Sequence, residues 1–70
     1  MLTIAERVRR ARTKAGFSQR GLSLKAGLAP GTVGLIEARG GGVSARTAAA
    51  LAKVLGISVD ALLTGTIRAA

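Results

Sequence analysis

The chain has 70 residues, with eleven Lys and Arg against three acids and a net charge of +8, a balance that favours a polyanion such as nucleic acid or an anionic membrane surface. A chain of this size forms one domain, 1–70, and buries only ~60% of the surface its unfolded form exposes, so it gains from a partner. With no Cys, His, Trp or Tyr, it has no disulfides, no thiolate or imidazole metal site and no Cys- or His-based catalysis.

The first helix opens at a capping box, Thr3 with Glu6, which satisfies two of the orphan amides at a helix start. Ile4, Val8, Ala11 and Ala15 recur at helical spacing, and Arg7, Arg9, Arg10, Arg12 and Lys14 occupy the other faces. This Arg-rich start resembles an organellar transit peptide, but Glu6 and its continuation into the next elements argue for a folded helix and a cytoplasmic protein. Gly16 stops the helix. Ser18 caps a second helix that runs through Ala26 until Gly27 ends it, and Leu28 marks the turn. Pro30 takes the first position of a third helix, where its missing N–H costs nothing, and that helix ends near Ala38 or Arg39.

Arg39-Gly40-Gly41-Gly42 is a connection, and it lacks the Gly-Lys-Ser/Thr ending of a phosphate-binding loop. Ser44 caps a fourth helix with Ala48, Leu51, Ala52 and Leu55 inward, and Gly56 terminates it. Ser58 caps a short fifth helix holding Val59, Leu62 and Leu63, closed by Gly65. Residues 66–70 form a tail. The expected fold is all-α: five short helices around one core. No apolar run approaches the ~18 residues of a membrane span. The acids Glu6, Glu37 and Asp60 show no paired acid/base spacing, although folding can bring any two together. No catalytic residue, cofactor or metal is expected.

Residues 19–38 act as a unit. Two helices joined by a short turn and crossing steeply need a small residue at the crossing, here Ser23, and a residue tolerant of positive φ at the turn, here Gly27. They also need apolar inner faces, which Leu22, Ala26, Leu28, Val33 and Ile36 provide.

On these residues the chain resembles the phage repressor and Cro-type helix-turn-helix family, also called the XRE family. "RVRRARTKAGFSQRGLSLKAG" is similar to that family's first two helices, "TVGLIEARG" to its third, and "LAKVLGISVDALLTG" to its last two. The resemblance spans Ala5 to Gly65 and implies a lambda-repressor-like fold that binds double-stranded DNA, with the third helix in the major groove and the second across the backbone. It implies a salt bridge between Arg12 and Glu37. It also implies that Gln19 lies near the DNA, donating to a phosphate or reaching an adenine edge.

The family's base-contacting positions fall on Pro30, Gly31, Thr32 and Leu35, with Gly34 beside them. These are poor in hydrogen-bonding readers. Ala29 stands where a Ser or Thr cap is usual, a loss of roughly 1 kcal/mol. Gly21, Gly31 and Gly34 each cost about 0.8–1 kcal/mol inside a helix. Two readings follow. In one, glycines let the backbone approach the groove while Leu35 and the Thr32 methyl meet thymine methyl groups, and Thr32 and Gln19 supply the hydrogen bonds to bases. In the other, the helix reads little, and binding rests on phosphate contacts from Ser18, Arg20, Lys25, Arg39 and Arg46.

Two-fold dimers gain by engaging half-sites about one helical turn (~34 Å) apart. Val59, Leu63 and Ile67 supply the expected homodimer surface. The sequence therefore points to a small homodimeric transcriptional regulator, in the simplest case a repressor at a palindromic operator, with no small-molecule ligand and no membrane. A protein-interaction module or a low-specificity DNA binder on the same fold is the alternative.

Overall fold

The computed structural model describes residues 3–40 and 43–64. They form five α-helices: α1 (Ile4–Ala15), α2 (Gln19–Lys25), α3 (Thr32–Arg39), α4 (Ala45–Leu55) and α5 (Val59–Thr64). Gly41, Gly42, the predicted stop at Gly65 and the 66–70 tail lie outside the described residues.

Local chemistry sets four of the five starts. The Glu6 N–H donates to Thr3 Oγ1 at 3.2 Å and the Thr3 N–H returns to Glu6 Oε1 at 3.2 Å, completing the capping box of α1. Ser18, Ser44 and Ser58 accept from the amides of Gly21, Thr47 and Ala61 at 2.9, 3.1 and 3.0 Å. Each bond satisfies a donor that the helix itself leaves without a partner.

The third helix departs from the sequence reading. Pro30 is not its first residue, because α3 begins at Thr32. The Thr32 N–H donates to the Ala29 carbonyl at 3.0 Å, closing a turn around Pro30 and Gly31, for which the fixed φ of proline is as well suited as for a helix start. Gly31 is the N-cap and has no side chain to offer. Ser23 of α2 replaces it: its Oγ accepts the Val33 N–H at 3.0 Å and donates to the Gln19 carbonyl at 2.9 Å. Ser23 is fully buried, so it is both the small residue at the α2–α3 crossing and the cap of α3. Gly27 turns the chain between them at φ +74°, and Leu28 N–H bonds back to the Ser23 carbonyl at 2.9 Å. A side chain at that φ is strained.

The core is built from Val8, Leu22, Val33, Ile36, Ala48, Leu51, Ala52 and Leu62, with Ile4, Phe17, Ala26, Leu28, Val43, Val54, Leu55 and Val59 packed around it. All five helices contribute. Burying one such Leu or Val side chain stabilises by about 1.5–3 kcal/mol. α1 packs on α3, α4 and α5, while α2 packs on α3 and α4. The predicted stripe of α1 is shorter than its spacing suggests: Val8 is buried and Ile4 and Ala11 are half-buried, but Ala15 is exposed, and Ala5 beside the stripe is buried. In the last turn of α1 it is Arg12 that faces α3, through its bonds to Glu37, while Ala15 points to solvent.

Candidate nucleic-acid interface

Behind the exposed face of α3 lies a polar chain that ties three helices together. Arg12 of α1 donates through Nε to Glu37 Oε2 at 2.8 Å and through a terminal nitrogen to Glu37 Oε1 at 3.1 Å. Its other terminal nitrogen donates to the Phe17 carbonyl at 2.9 Å. The paired side chains are 16% and 8% exposed. Burial alone would raise the Glu37 carboxyl, but the hydrogen bonds from Arg12 and Gln19 and the charges of Arg12 and Arg9 outweigh it, so Glu37 ionises below the usual carboxylate range. The Arg12 guanidinium is held protonated more firmly still, first by its hydrogen bond to Glu37.

Gln19, the first residue of α2, joins this chain by donating Nε2 to Glu37 Oε1 at 3.1 Å. It crosses directly over Gly34, where an added Cβ would stand 3.2 Å from Gln19 Oε1. Gly21 is also constrained, since a Cβ there would come within 2.9 Å of Ser18 Oγ and disturb the α2 cap.

Among the residues at the family's base-contacting positions, Gln19, Pro30, Gly31 and Leu35 are exposed and Thr32 is half-buried. Leu35 is 56% exposed, the largest value among the large hydrophobic side chains of the described residues. Thr32, Leu35 and Ile36 share a shallow groove of about 210 Å³ with Arg39, Val43, Ser44 and Thr47. That groove joins α3 to the start of α4, where Arg46 is exposed.

The remaining cations divide by position. Arg20 is exposed beside Gln19. Lys25 lies elsewhere, lining a separate groove with Phe17, Ala26, Gly27 and Lys53. Ser18 is exposed, with its oxygen engaged by the Gly21 amide. Arg7 belongs to the fold: its Nε donates to the Leu62 carbonyl at 2.7 Å and a second nitrogen donates to the Leu63 carbonyl. These carbonyls belong to the last turn of α5, where a cation also complements the helix dipole. The first turns of α2, α3 and α4 carry no acid, whereas α1 has Glu6 and α5 has Asp60. The positive ends of the three helices bordering this face therefore carry neutral serine caps and no compensating negative charge in the first turn.

A sequence profile of the helix-turn-helix family matches residues 8–62. The chain belongs to that family. Its members of this Cro/cI-like type are DNA-binding transcription regulators. Three solved structures share the fold of this helix-turn-helix protein. The N-terminal DNA-binding domain of SinR from Bacillus subtilis matches at 30% identity and a TM-score of 0.78, covering 84% of this chain and 87% of that one. The P22 c2 repressor protein, solved with the synthetic operator 9T, matches at 27% identity and 0.84, covering 94% and 100%. The restriction–modification controller C.AhdI from Aeromonas hydrophila matches at 33% identity and 0.78, covering 86% and 91%. No curated protein gives a significant sequence match.

Of the residues expected at a dimer surface, Val59 packs partly into the core and Leu63 is 38% exposed. Ile67 lies outside the described residues. Among the described residues there is no group of acids fit to hold a metal, and no helix is long and apolar enough to cross a membrane.

Three participants escaped the sequence reading: Ser23 as a cap, Gly34 as the floor beneath Gln19, and Glu37 as acceptor for Gln19. The one available signal was the coincidence of a small polar residue on α2 with missing cap chemistry at Ala29 and Gly31.

Proposed function

We propose that this helix-turn-helix protein is a homodimeric, cytoplasmic repressor that binds a palindromic operator in duplex DNA with α3 in the major groove and α2 across the backbone. It acts by occupancy rather than by chemistry. The observation that carries the reading is the exposed Leu35 beside Thr32, in one groove with Arg39 and next to Arg46. An apolar reader with a hydroxyl neighbour suits thymine methyl groups and adjacent acceptors, and the arginines suit phosphates. The P22 c2 repressor, seen with an operator, supports a duplex as the partner. Leu63 on α5, exposed though apolar, supports a second copy of the chain there.

In vitro selection of bound duplexes from a random pool tests this. Enrichment of a palindrome with half-sites about one helical turn (~34 Å) apart is the expected result. Retained affinity without enrichment would make the protein a phosphate-dominated binder, and no binding at low salt would overturn the DNA reading altogether.

A further inference from the structure

Gln19 is the one Gln of a chain that has no Asn, so it is the single carboxamide side chain available to read a base edge. Its amide is anchored in a particular sense. An ionised carboxylate has no proton to donate, so an amide meeting Glu37 must turn its nitrogen toward it. The observed bond runs from Nε2 to Glu37 Oε1 at 3.1 Å, and Glu37 is itself held by two bonds from Arg12. The Gln19 oxygen then lies over Gly34, at 3.2 Å from where a Cβ would stand. That spacing is tighter than an ordinary van der Waals contact, so an added methyl would make the amide oxygen give by a few tenths of an ångström.

We infer that Gly34 and Glu37 are positioning residues for Gln19, together fixing the polarity of its amide and presenting its remaining N–H and carbonyl oxygen to the duplex as an adenine reader. In the major groove adenine alone offers an acceptor and a donor on one base; guanine offers two acceptors, cytosine a donor and thymine an acceptor. An amide free to rotate about its last bond presents either order of donor and acceptor, whereas the anchored one presents a single order. Gly34, a poor residue for the interior of a helix, provides the space in which that order is held. This inference rests on the proposed DNA reading.

The test uses the parent protein, Gly34→Ala and Gln19→Ala. Each is titrated with the selected operator, with operators substituted one base at a time, and with random duplex at low salt. Ala favours helix over Gly, so Gly34→Ala should be at least as resistant to urea as the parent. Its affinity for random duplex should stay within about twofold, because phosphate contacts supply that term. Its preference for adenine at one position of each half-site should fall roughly tenfold, within the range that a bidentate base contact carries, and Gln19→Ala should lose the same preference. NMR gives a readout independent of DNA. The parent must show a single carboxamide proton pair, with the Glu37-facing proton displaced from its free-glutamine position, and Gly34→Ala must move that pair.

Unchanged base preference in either variant overturns the inference while leaving DNA binding intact. Should Gly34→Ala not fold, a parent carboxamide pair at free-glutamine shifts overturns it equally. Failure of the parent to bind any duplex overturns both readings.

Discussion

Ser23 caps a helix to which it does not belong: its hydroxyl oxygen accepts the amide hydrogen of Val33, ten residues away, at 3.0 Å in a fully buried setting. Because Gly31 makes no side-chain cap, removing this oxygen leaves a buried N–H without a partner. Such a group costs about 1–3 kcal/mol. Ser23→Ala should therefore lower the urea midpoint by that equivalent with no change in m-value, and a shift worth less than about 0.5 kcal/mol would mean that Val33 finds another acceptor.

The Arg12–Glu37 pair calls for a double-mutant cycle, because single substitutions mix the loss of the pair with the cost of stranding the survivor. With the side chains 16% and 8% exposed, Arg12→Met and Glu37→Gln should each cost about 2–3 kcal/mol, somewhat below the range for a fully buried pair. The coupling energy should exceed about 1 kcal/mol. A coupling near zero would class the pair with ordinary surface ion pairs.

The same pair sets the acid limit of the fold. The Glu37 carboxyl ionises at lower pH in the folded chain than in the unfolded one. A depressed folded pKa stabilises at pH above the unfolded value, about 4.3 for Glu, and that stabilisation disappears as pH falls through the folded pKa. Denaturation midpoints should thus be level near neutrality and drop below about pH 4.3, and Glu37→Gln should flatten that drop. Glu6 is lowered too, first by its backbone bond with Thr3, so adding Glu6→Gln should reduce the slope that remains in Glu37→Gln.

What the sequence made legible was whatever depends on neighbours within one turn. The caps at Thr3, Ser18, Ser44 and Ser58 are read directly because donor and acceptor lie three residues apart. The alternation of Leu22, Val33 and Ile36 likewise fixes the faces that meet in the core. Long-range side-chain chemistry was not legible. The start of α3 depends on Ser23, and the end of α5 is held by Arg7 from the other end of the chain. Gly34 looks from sequence like a plain weakness in a helix, and its other role appears once Gln19 is seen lying across it. The arginines of α1 also look alike in sequence, yet Arg7 meets carbonyls and Arg12 meets a carboxylate.

That division among arginines predicts different behaviour in salt. If Arg39 and Arg46 contact phosphates, Arg39→Ala and Arg46→Ala should each reduce the log–log salt slope of duplex binding by about 0.9 and weaken all sequences evenly. Arg7→Ala should leave that slope unchanged and instead cost about 1 kcal/mol of stability, since its charge is engaged by the carbonyls of Leu62 and Leu63. Equal slope losses from all three would place α1 against the backbone as well.

Leu35 offers the sharpest separation of binding from folding. At 56% exposure it contributes little to the core, so Leu35→Ala should change stability by no more than about 0.5 kcal/mol. If the side chain covers a thymine methyl, the substitution should weaken operator binding by about 1 kcal/mol, close to the value of one buried methyl-sized group. Replacing that thymine by uracil should weaken the parent by a similar amount. The two losses should not add, because each removes one side of the same contact. Full additivity would mean that Leu35 touches something other than the methyl group, and the hydrophobic reading of α3 would give way to one based on phosphates and DNA shape.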